Sequence, residues 1–183
     1  KGGHSGLDIH LGRGNANKIM NQMLMTAAEK FGLRLAVIEG GNLRNAIPRE
    51  SFAVVVVPES EKEAFKKFAS DYEAEMKEAY HKADPGLLIN TAATKMPSHV
   101  MDPATQAKFF NAIDIFPNDV ISWSADMPGI VQTSTNLAIV RTVGSTIEIA
   151  SLQRSSVDAE KDELARKIAA ILTEAGGKAD ISG

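Results

Sequence analysis

The chain has 183 residues, of which 44% are hydrophobic and 23% are charged, and this composition indicates one folded domain with a sizeable core. A net charge of -3 argues against nucleic-acid binding, because a phosphate backbone is usually met by a strongly basic surface. No apolar run has the length of a membrane span, and the lack of cysteine excludes disulfides and thiolate metal ligands. We expect a cytoplasmic protein that binds neither nucleic acid nor membranes.

After a glycine-rich opening, the first predicted element is an amphipathic helix over residues 16–31, where apolar residues recur at helical spacing. Asn15 is a suitable N-cap for this helix, and Gly32 is suited to the left-handed position that ends it. The glycines at 12–14 are also compatible with a phosphate cradle, although no buried strand precedes them as a fuller nucleotide-binding fingerprint requires.

Two strands and a second helix complete the first half of the chain. Residues 33–38 and 52–57 are β-rich runs joined by a polar connection, and Pro58 ends the second run. Ser60 and Glu63 have the spacing of a capping box, which predicts the start of the second helix.

The second half predicts the same order of elements. Residues 87–94 alternate weakly as a strand, and Asp102-Pro103 predicts a helix start with Asp as cap and Pro in the first turn. Residues 131–142 and 146–154 predict a hairpin around a glycine turn. A serine at 155 or 156 is expected to cap the last helix.

The order strand, helix, strand, strand, helix thus occurs twice, if the opening segment is counted as a strand. This β-α-β-β-α order is ferredoxin-like, and two units side by side predict an α+β two-layer sandwich with an antiparallel sheet and helices on one face. We place the units at about 1–84 and 85–177 of a single domain covering 1–183. The other sheet face must be solvated or covered by a partner.

The ends of the chain suggest a domain taken from a longer protein. The sequence starts at Lys1 without an initiator Met and finishes in the linker-like stretch 176–183. We therefore expect that the chain is one part of a larger parent protein.

Few residues in the chain are suited to catalysis. The four histidines, His4, His10, His81 and His99, lack the spacing of a metal site such as HExxH, and no Gly-x-Ser-x-Gly elbow is present. We therefore expect no metal in this chain and no activity from it in isolation.

Three polar residues nevertheless stand in positions that favour a site: His4 in the glycine-rich opening, Asn45 in the strand connection and Arg154 at the end of the last strand. Each also has a structural interpretation. The histidine and the asparagine are compatible with simple turns, and the arginine is compatible with helix capping or an ion pair.

Five motifs spread along the chain resemble one family. They are Gly2-Gly3-His4-Ser5-Gly6 with Asp8-Ile9-His10, Gly14-Asn15-Ala16-Asn17-Lys18, Asn45-Ala46-Ile47-Pro48, Gln132-Thr133-Ser134-Thr135-Asn136-Leu137 and Arg154-Ser155-Ser156-Val157-Asp158. Together they resemble the lid and dimerisation domain of the aminoacyl-histidine (Xaa-His) dipeptidases, di-zinc metallopeptidases of the carnosinase and carboxypeptidase type. The resemblance implies a homodimer formed through the lid, a dipeptide substrate, and two zinc ions held by a catalytic domain outside this chain.

The resemblance also assigns roles to the three polar residues. It implies that His4 stabilises the oxyanion, acting on the active site of the neighbouring subunit, and that Asn45 and Arg154 bind the substrate. A guanidinium such as that of Arg154 binds a carboxylate through two charge-assisted hydrogen bonds, which suits the free carboxylate of a dipeptide. The parent is then a metallo-dipeptidase, whose general base this chain does not contain.

Another class of function is left open by the sequence. A stand-alone ferredoxin-like module that binds a small ligand or a partner as a regulatory domain fits the same elements, and so does a surface binding protein without a site. The dipeptidase hypothesis predicts a flanking catalytic domain in the parent gene, whereas the regulatory module predicts none.

Overall fold

The computed structural model describes residues 1–182. They contain seven strands and four α-helices in the chain order β1 (Gly3–His4), α1 (Ala16–Phe31), β2 (Arg34–Gly40), β3 (Ala46–Ile47), β4 (Ser51–Val56), α2 (Lys62–Ala79), α3 (Pro103–Ile115), β5 (Asp119–Trp123), β6 (Val131–Val143), β7 (Thr146–Ser155) and α4 (Asp158–Glu174). Short 3₁₀ turns at Ile9–Leu11 and Glu59–Glu61 precede α1 and α2.

The central strand of the five-stranded antiparallel sheet is β6. One edge of β6 pairs with β7 from Thr133 to Val143. The other edge is shared, because β2 pairs at residues 140–141 and β5 pairs over residues 131–135. Since β4 pairs with the far side of β2, strands β4, β5 and β7 each keep one edge that no strand of residues 1–182 covers.

The four helices lie against one face of this sheet and share one hydrophobic core with it. Helix α1 contacts α2 and α3, and α3 also contacts α4. Each large apolar side chain buried in this core contributes about 1.5–3 kcal/mol to folding. The most deeply buried are Leu24, Leu33, Leu35, Ile38, Phe110, Ile113, Phe116, Leu137 and Val140. In residues 1–182 no helix is both long enough and apolar enough to cross a membrane.

The predicted α+β class, with an antiparallel sheet and helices, is confirmed. Two predicted helix starts are also confirmed, because Asn15 accepts a hydrogen bond from Asn17 N at 3.0 Å and Asp102 caps α3. Gly32 ends α1 in the left-handed region, with φ of 64°. The hairpin of β6 and β7 forms as predicted.

The prediction of a strand over residues 87–94 is wrong. This segment has no strand structure; Leu88 is exposed, and Ile89 N donates to Glu73 Oε1 of α2 at 3.3 Å. The strand that pairs with β6 here is β5. It is short and contains polar residues, so the sequence pattern does not predict it. The second unit therefore has the order α3, β5, β6, β7, α4.

Two predicted caps also differ from the structure. Ser60 lies inside a 3₁₀ turn, so α2 begins after Glu61 without a side-chain cap. Ser155 Oγ accepts from Val157 N at 3.0 Å, one residue before α4 begins, and α4 has no side-chain N-cap. In both places a tight turn leads into the helix and takes the hydroxyl out of capping position.

Strands β1 and β3 form a two-stranded antiparallel ribbon that is separate from the main sheet; we call it the ribbon. Residues 133–138 of β6 are all buried. Because alternate side chains of a strand point to opposite faces, both faces of β6 are covered there. Strand β3 and the turn Ile9–Leu11 contact β6. The sheet face that the sequence predicts to be solvated or covered by a partner is thus partly covered by the chain itself.

Candidate functional site

The ribbon places His4 next to Asn45. His4 lies opposite Ala46 in the antiparallel register, and the adjacent backbone N–H of Ser5 donates to the carbonyl oxygen of Asn45 at 2.9 Å. His4 is partly buried, whereas Asn45 is exposed on the turn before β3. Two residues far apart in the sequence are therefore fixed to each other by backbone hydrogen bonds.

Asp8 and Arg13 hold the backbone that carries His4. Asp8 Oδ2 accepts hydrogen bonds from His4 N at 2.9 Å and from Arg13 Nη1 at 3.0 Å, and the same Nη1 donates to Gly2 O at 2.7 Å. The hydrogen bond from the His4 backbone and the charge of Arg13 lower the pKa of Asp8. A Cβ at Gly3 would overlap both Asp8 and Arg13, so only glycine fits there.

The imidazole of His4 is held in one orientation by two backbone donors. Gly6 N and Leu7 N each donate to His4 Nδ1 at 3.1 Å. A ring nitrogen that accepts hydrogen bonds carries no hydrogen, so the neutral ring has its hydrogen on Nε2. His4 is therefore prepared to donate a hydrogen bond from Nε2.

Arg154 lies on β7 opposite Ser134, and its side chain reaches the glycine that follows Ser5. A methyl group placed on Gly6 would lie 3.2 Å from Arg154 Nε and 3.2 Å from His4 Cε1, so these two side chains are neighbours. Arg154 Nε is buried without a hydrogen-bond partner in residues 1–182, and the guanidinium forms no ion pair there. Such a donor favours an anionic ligand.

The structure thus brings the three residues predicted from the sequence to one place: His4 and Arg154 meet across Gly6, and Asn45 is bonded to the ribbon beside His4. The other histidines lie elsewhere. His10 is exposed in the turn Ile9–Leu11, while His81 contacts Glu78 O at 2.7 Å and His99 contacts Ser98 Oγ at 2.9 Å.

Comparison with known proteins shows which proteins this chain resembles. Residues 1–84 match the model of the peptidase dimerisation domain. The full chain is 33% identical to the cytosol non-specific dipeptidase of Escherichia coli (strain K12), of which it covers 38%. The crystal structure of aminoacylhistidine dipeptidase from Vibrio alginolyticus matches 100% of the chain with a TM-score of 0.97, at 33% identity.

Residues 1–84 thus resemble the peptidase dimerisation domain, and the whole chain resembles a part of two dipeptidases. The resemblance to the dipeptidase family is confirmed, and it favours a peptidase domain over a stand-alone regulatory module. The chain spans 38% and 37% of the lengths of these two relatives, so their activities belong to longer proteins.

Buried amides next to the ribbon are a feature that the sequence does not reveal. Asn136 is 1% exposed on β6, and its Nδ2 donates to the carbonyl oxygen of Ala46 at 2.8 Å. Asn15 Nδ2 donates to Asn118 Oδ1 at 2.9 Å and approaches Asn136 Oδ1 at 3.5 Å. In the sequence, Asn15 is recognisable as a helix cap and both Asn15 and Asn136 stand in the motifs given above, but nothing there indicates that their amides are buried against each other.

Glu160 connects helix α4 with strands β5 and β6. Its carboxylate accepts from Ser122 Oγ of β5 at 3.0 Å, from Gln132 Nε2 at 2.6 Å and from Thr133 Oγ1 of β6. These hydrogen bonds, that of Thr133 first, lower the pKa of Glu160. Glu160 stands in the first turn of α4, where a negative charge is favoured.

Residues 1–182 do not contain a metal site of their own. In the part of the chain that the structure describes, no three His, Asp or Glu side chains are grouped so that they could hold a metal ion. The described residues therefore do not provide the ligands of a di-zinc centre.

Proposed function

We propose that this dimerisation domain is the substrate-binding lid of a cytoplasmic zinc dipeptidase that hydrolyses Xaa-His and related dipeptides. The observation that carries the proposal is the unpaired, partly buried guanidinium of Arg154 beside the Nε2 donor of His4. The names of the relatives, a cytosol non-specific dipeptidase and an aminoacylhistidine dipeptidase, support the substrate class and the compartment.

Arg154 binds the free carboxylate of the dipeptide in this proposal. A planar guanidinium forms two parallel hydrogen bonds to a carboxylate, and low local exposure to water makes such a pair stronger. Its Nε is already removed from water and lacks an acceptor, so substrate binding would satisfy a donor that folding leaves unsatisfied.

His4 and Asn45 contact the reacting end of the substrate. Nε2–H of His4 donates to the oxygen on which negative charge develops, and the amide of Asn45 donates to the same carbonyl or to the substrate carboxylate. The catalytic domain that supplies zinc and the general base lies outside this chain. Activity therefore belongs to the parent enzyme, and we propose that the isolated domain hydrolyses no dipeptide.

We propose further that the parent is a homodimer that pairs through this domain. The family model describes a dimerisation domain, and the strands β4, β5 and β7 have edges without a partner strand in residues 1–182. Unpaired sheet edges are natural surfaces for self-association, and two-fold pairing is the commonest closed arrangement.

The role of Arg154 is tested by Arg154→Ala and Arg154→Lys in the parent enzyme. We expect Arg154→Ala to cost about 2–4 kcal/mol in kcat/KM on a dipeptide, with only partial rescue by lysine, because an ammonium cannot form the bidentate pair. The same variants are assayed on a dipeptide amide, which lacks the carboxylate. An equal loss on the acid and on the amide would show that Arg154 is not the carboxylate anchor.

A further inference from the structure

A side-chain hydrogen bond joins the ribbon to the main sheet. The ribbon carries His4 and lies next to Asn45. Asn136 Nδ2 donates to the carbonyl oxygen of Ala46 at 2.8 Å. Ala46 directly follows Asn45 and lies opposite His4 in the register. A shift of this one peptide would therefore move both site residues.

Asn136 is well placed to hold that peptide still. It lies on the central strand of the sheet, in register with Leu152 of β7, and only 1% of it is exposed. The amide of Asn15 approaches Asn136 Oδ1 at 3.5 Å and also donates to Leu137 O at 3.0 Å. These contacts orient the Asn136 amide so that its NH₂ group faces Ala46.

Burial makes this hydrogen bond decisive for the ribbon. Asn136 is 1% exposed and Ala46 is partly buried, so truncation of the amide leaves the Ala46 carbonyl without this buried donor. The antiparallel pair of His4 with Ala46 and the bond from Ser5 N to Asn45 O then transmit the position of Ala46 to the site.

We infer that Asn136 is a positioning residue that sets the places of His4 and Asn45 without touching the substrate. This inference rests on the proposed dipeptidase function, because it assigns Asn136 a share of that activity. It also makes a structural claim, that Asn136 holds the ribbon, which is measurable without any turnover.

The test uses Asn136→Ala and Asn136→Leu in the full-length parent, the second variant keeping most of the buried volume. Asn21 provides the matched control, because it is also 1% exposed and its Nδ2 donates to a backbone carbonyl, Phe110 O, at 3.0 Å. We expect the Asn136 variants to lose about 10–100-fold in kcat, since a small misplacement of catalytic groups is costly. The Asn21 variants should stay within about twofold of wild type.

Two further measurements separate positioning from general damage. In a background with His4→Ala and Asn45→Ala, Asn136→Ala should change kcat by less than about twofold, because residues that act through one another are not additive. An independent loss in that background would overturn the inference. By mass spectrometry, amide hydrogen exchange in the peptide with Ser5 should be faster in Asn136→Ala than in Asn21→Ala.

The exchange measurement also separates this inference from the proposed function. If His4→Ala leaves dipeptide turnover unchanged, the proposed role of His4 fails, and exchange at Ser5 alone decides whether Asn136 holds the ribbon. Unchanged exchange in both Asn136 variants would overturn the positioning role, whatever the activity of the parent.

Discussion

The absence of a side chain at Gly6 allows His4 and Arg154 to lie close together in the candidate site. Its backbone conformation is one that other residues adopt, so the need for glycine arises from its neighbours. A methyl group there would be 3.2 Å from both His4 Cε1 and Arg154 Nε, which is closer than ordinary contact. His4 is fixed through Nδ1, so the guanidinium is the group that must move.

We therefore expect Gly6→Ala in the parent enzyme to lower kcat/KM by about tenfold, because displaced catalytic and binding groups lose productive geometry. Its melting temperature should change little, as substitutions outside the core usually cost under about 1 kcal/mol. Gly86→Ala is the control, since a Cβ at that glycine meets nothing within 4 Å. Equal activity of the two variants would show that Gly6 does not set the spacing.

The same residues show what a sequence can predict about a site. His4, Asn45 and Arg154 stand in motifs, so resemblance selects them, and the structure places them together. Asn136 also stands in a motif, but the roles of Asn136 and Glu160 arise from hydrogen bonds to distant segments and, for Asn136, from burial. Neither burial nor such contacts leave a periodic trace in the sequence, because each depends on how separate elements pack.

At the scale of elements, the helices, strands β2 and β4 and the long hairpin were predictable, whereas the short strand β5 was not. α1 and the β6–β7 hairpin have clear periodicity and turn residues, so local signals agree with the final fold. β5 has only five residues and is a strand because β6 offers it an edge. Residues 87–94 alternate weakly but do not pair with β6, because β2, β5 and β7 already occupy both of its edges.

Glu160 fastens the start of α4 to two strands, and this junction makes stability depend on pH. The hydrogen bonds that it accepts in the folded state lower its pKa below the ordinary value of 4.5. Its contribution is therefore fully present above that value, and it is lost as the pH falls through the lower, folded-state pKa.

We accordingly expect Glu160→Gln to melt at a lower temperature than wild type at neutral pH. The gap should stay constant down to about pH 5 and should shrink at lower pH, where the wild-type carboxylate becomes protonated. Melting curves between about pH 3 and 7 measure this. Glu163→Gln removes an exposed charge from the same helix and is the control. A gap that persists unchanged to the lowest pH would contradict the role assigned to the carboxylate.

At the scale of the whole molecule, the site combines the ribbon, which carries His4, with Arg154 on β7 of the main sheet. The helices and the sheet supply a rigid support, and the ribbon and Arg154 present polar groups on it. The site holds a hydrogen-bond donor and a cation but no metal ligand set in residues 1–182. Under the proposed function, these groups complete an active site whose metal ligands another polypeptide segment provides.

We expect His4 of one subunit to serve the catalytic domain of its partner in the parent homodimer. Two inactive parents are mixed, one with His4→Ala and one without a zinc ligand in its catalytic domain. If His4 acts in trans, each mixed dimer contains one intact site, so subunit exchange should restore up to about a quarter of wild-type activity by binomial mixing.

The matched control mixes the zinc-ligand variant with a protein that carries both defects in one chain. Such a mixed dimer has no intact zinc site, so it should stay inactive whether His4 acts in cis or in trans. Exchange itself is followed with two affinity tags, which capture mixed dimers irrespective of turnover. If tagged mixed dimers of the two single variants form and remain inactive, His4 does not act on the active site of the partner subunit. Restored activity instead establishes that the dimer, and not the subunit, is the catalytic unit.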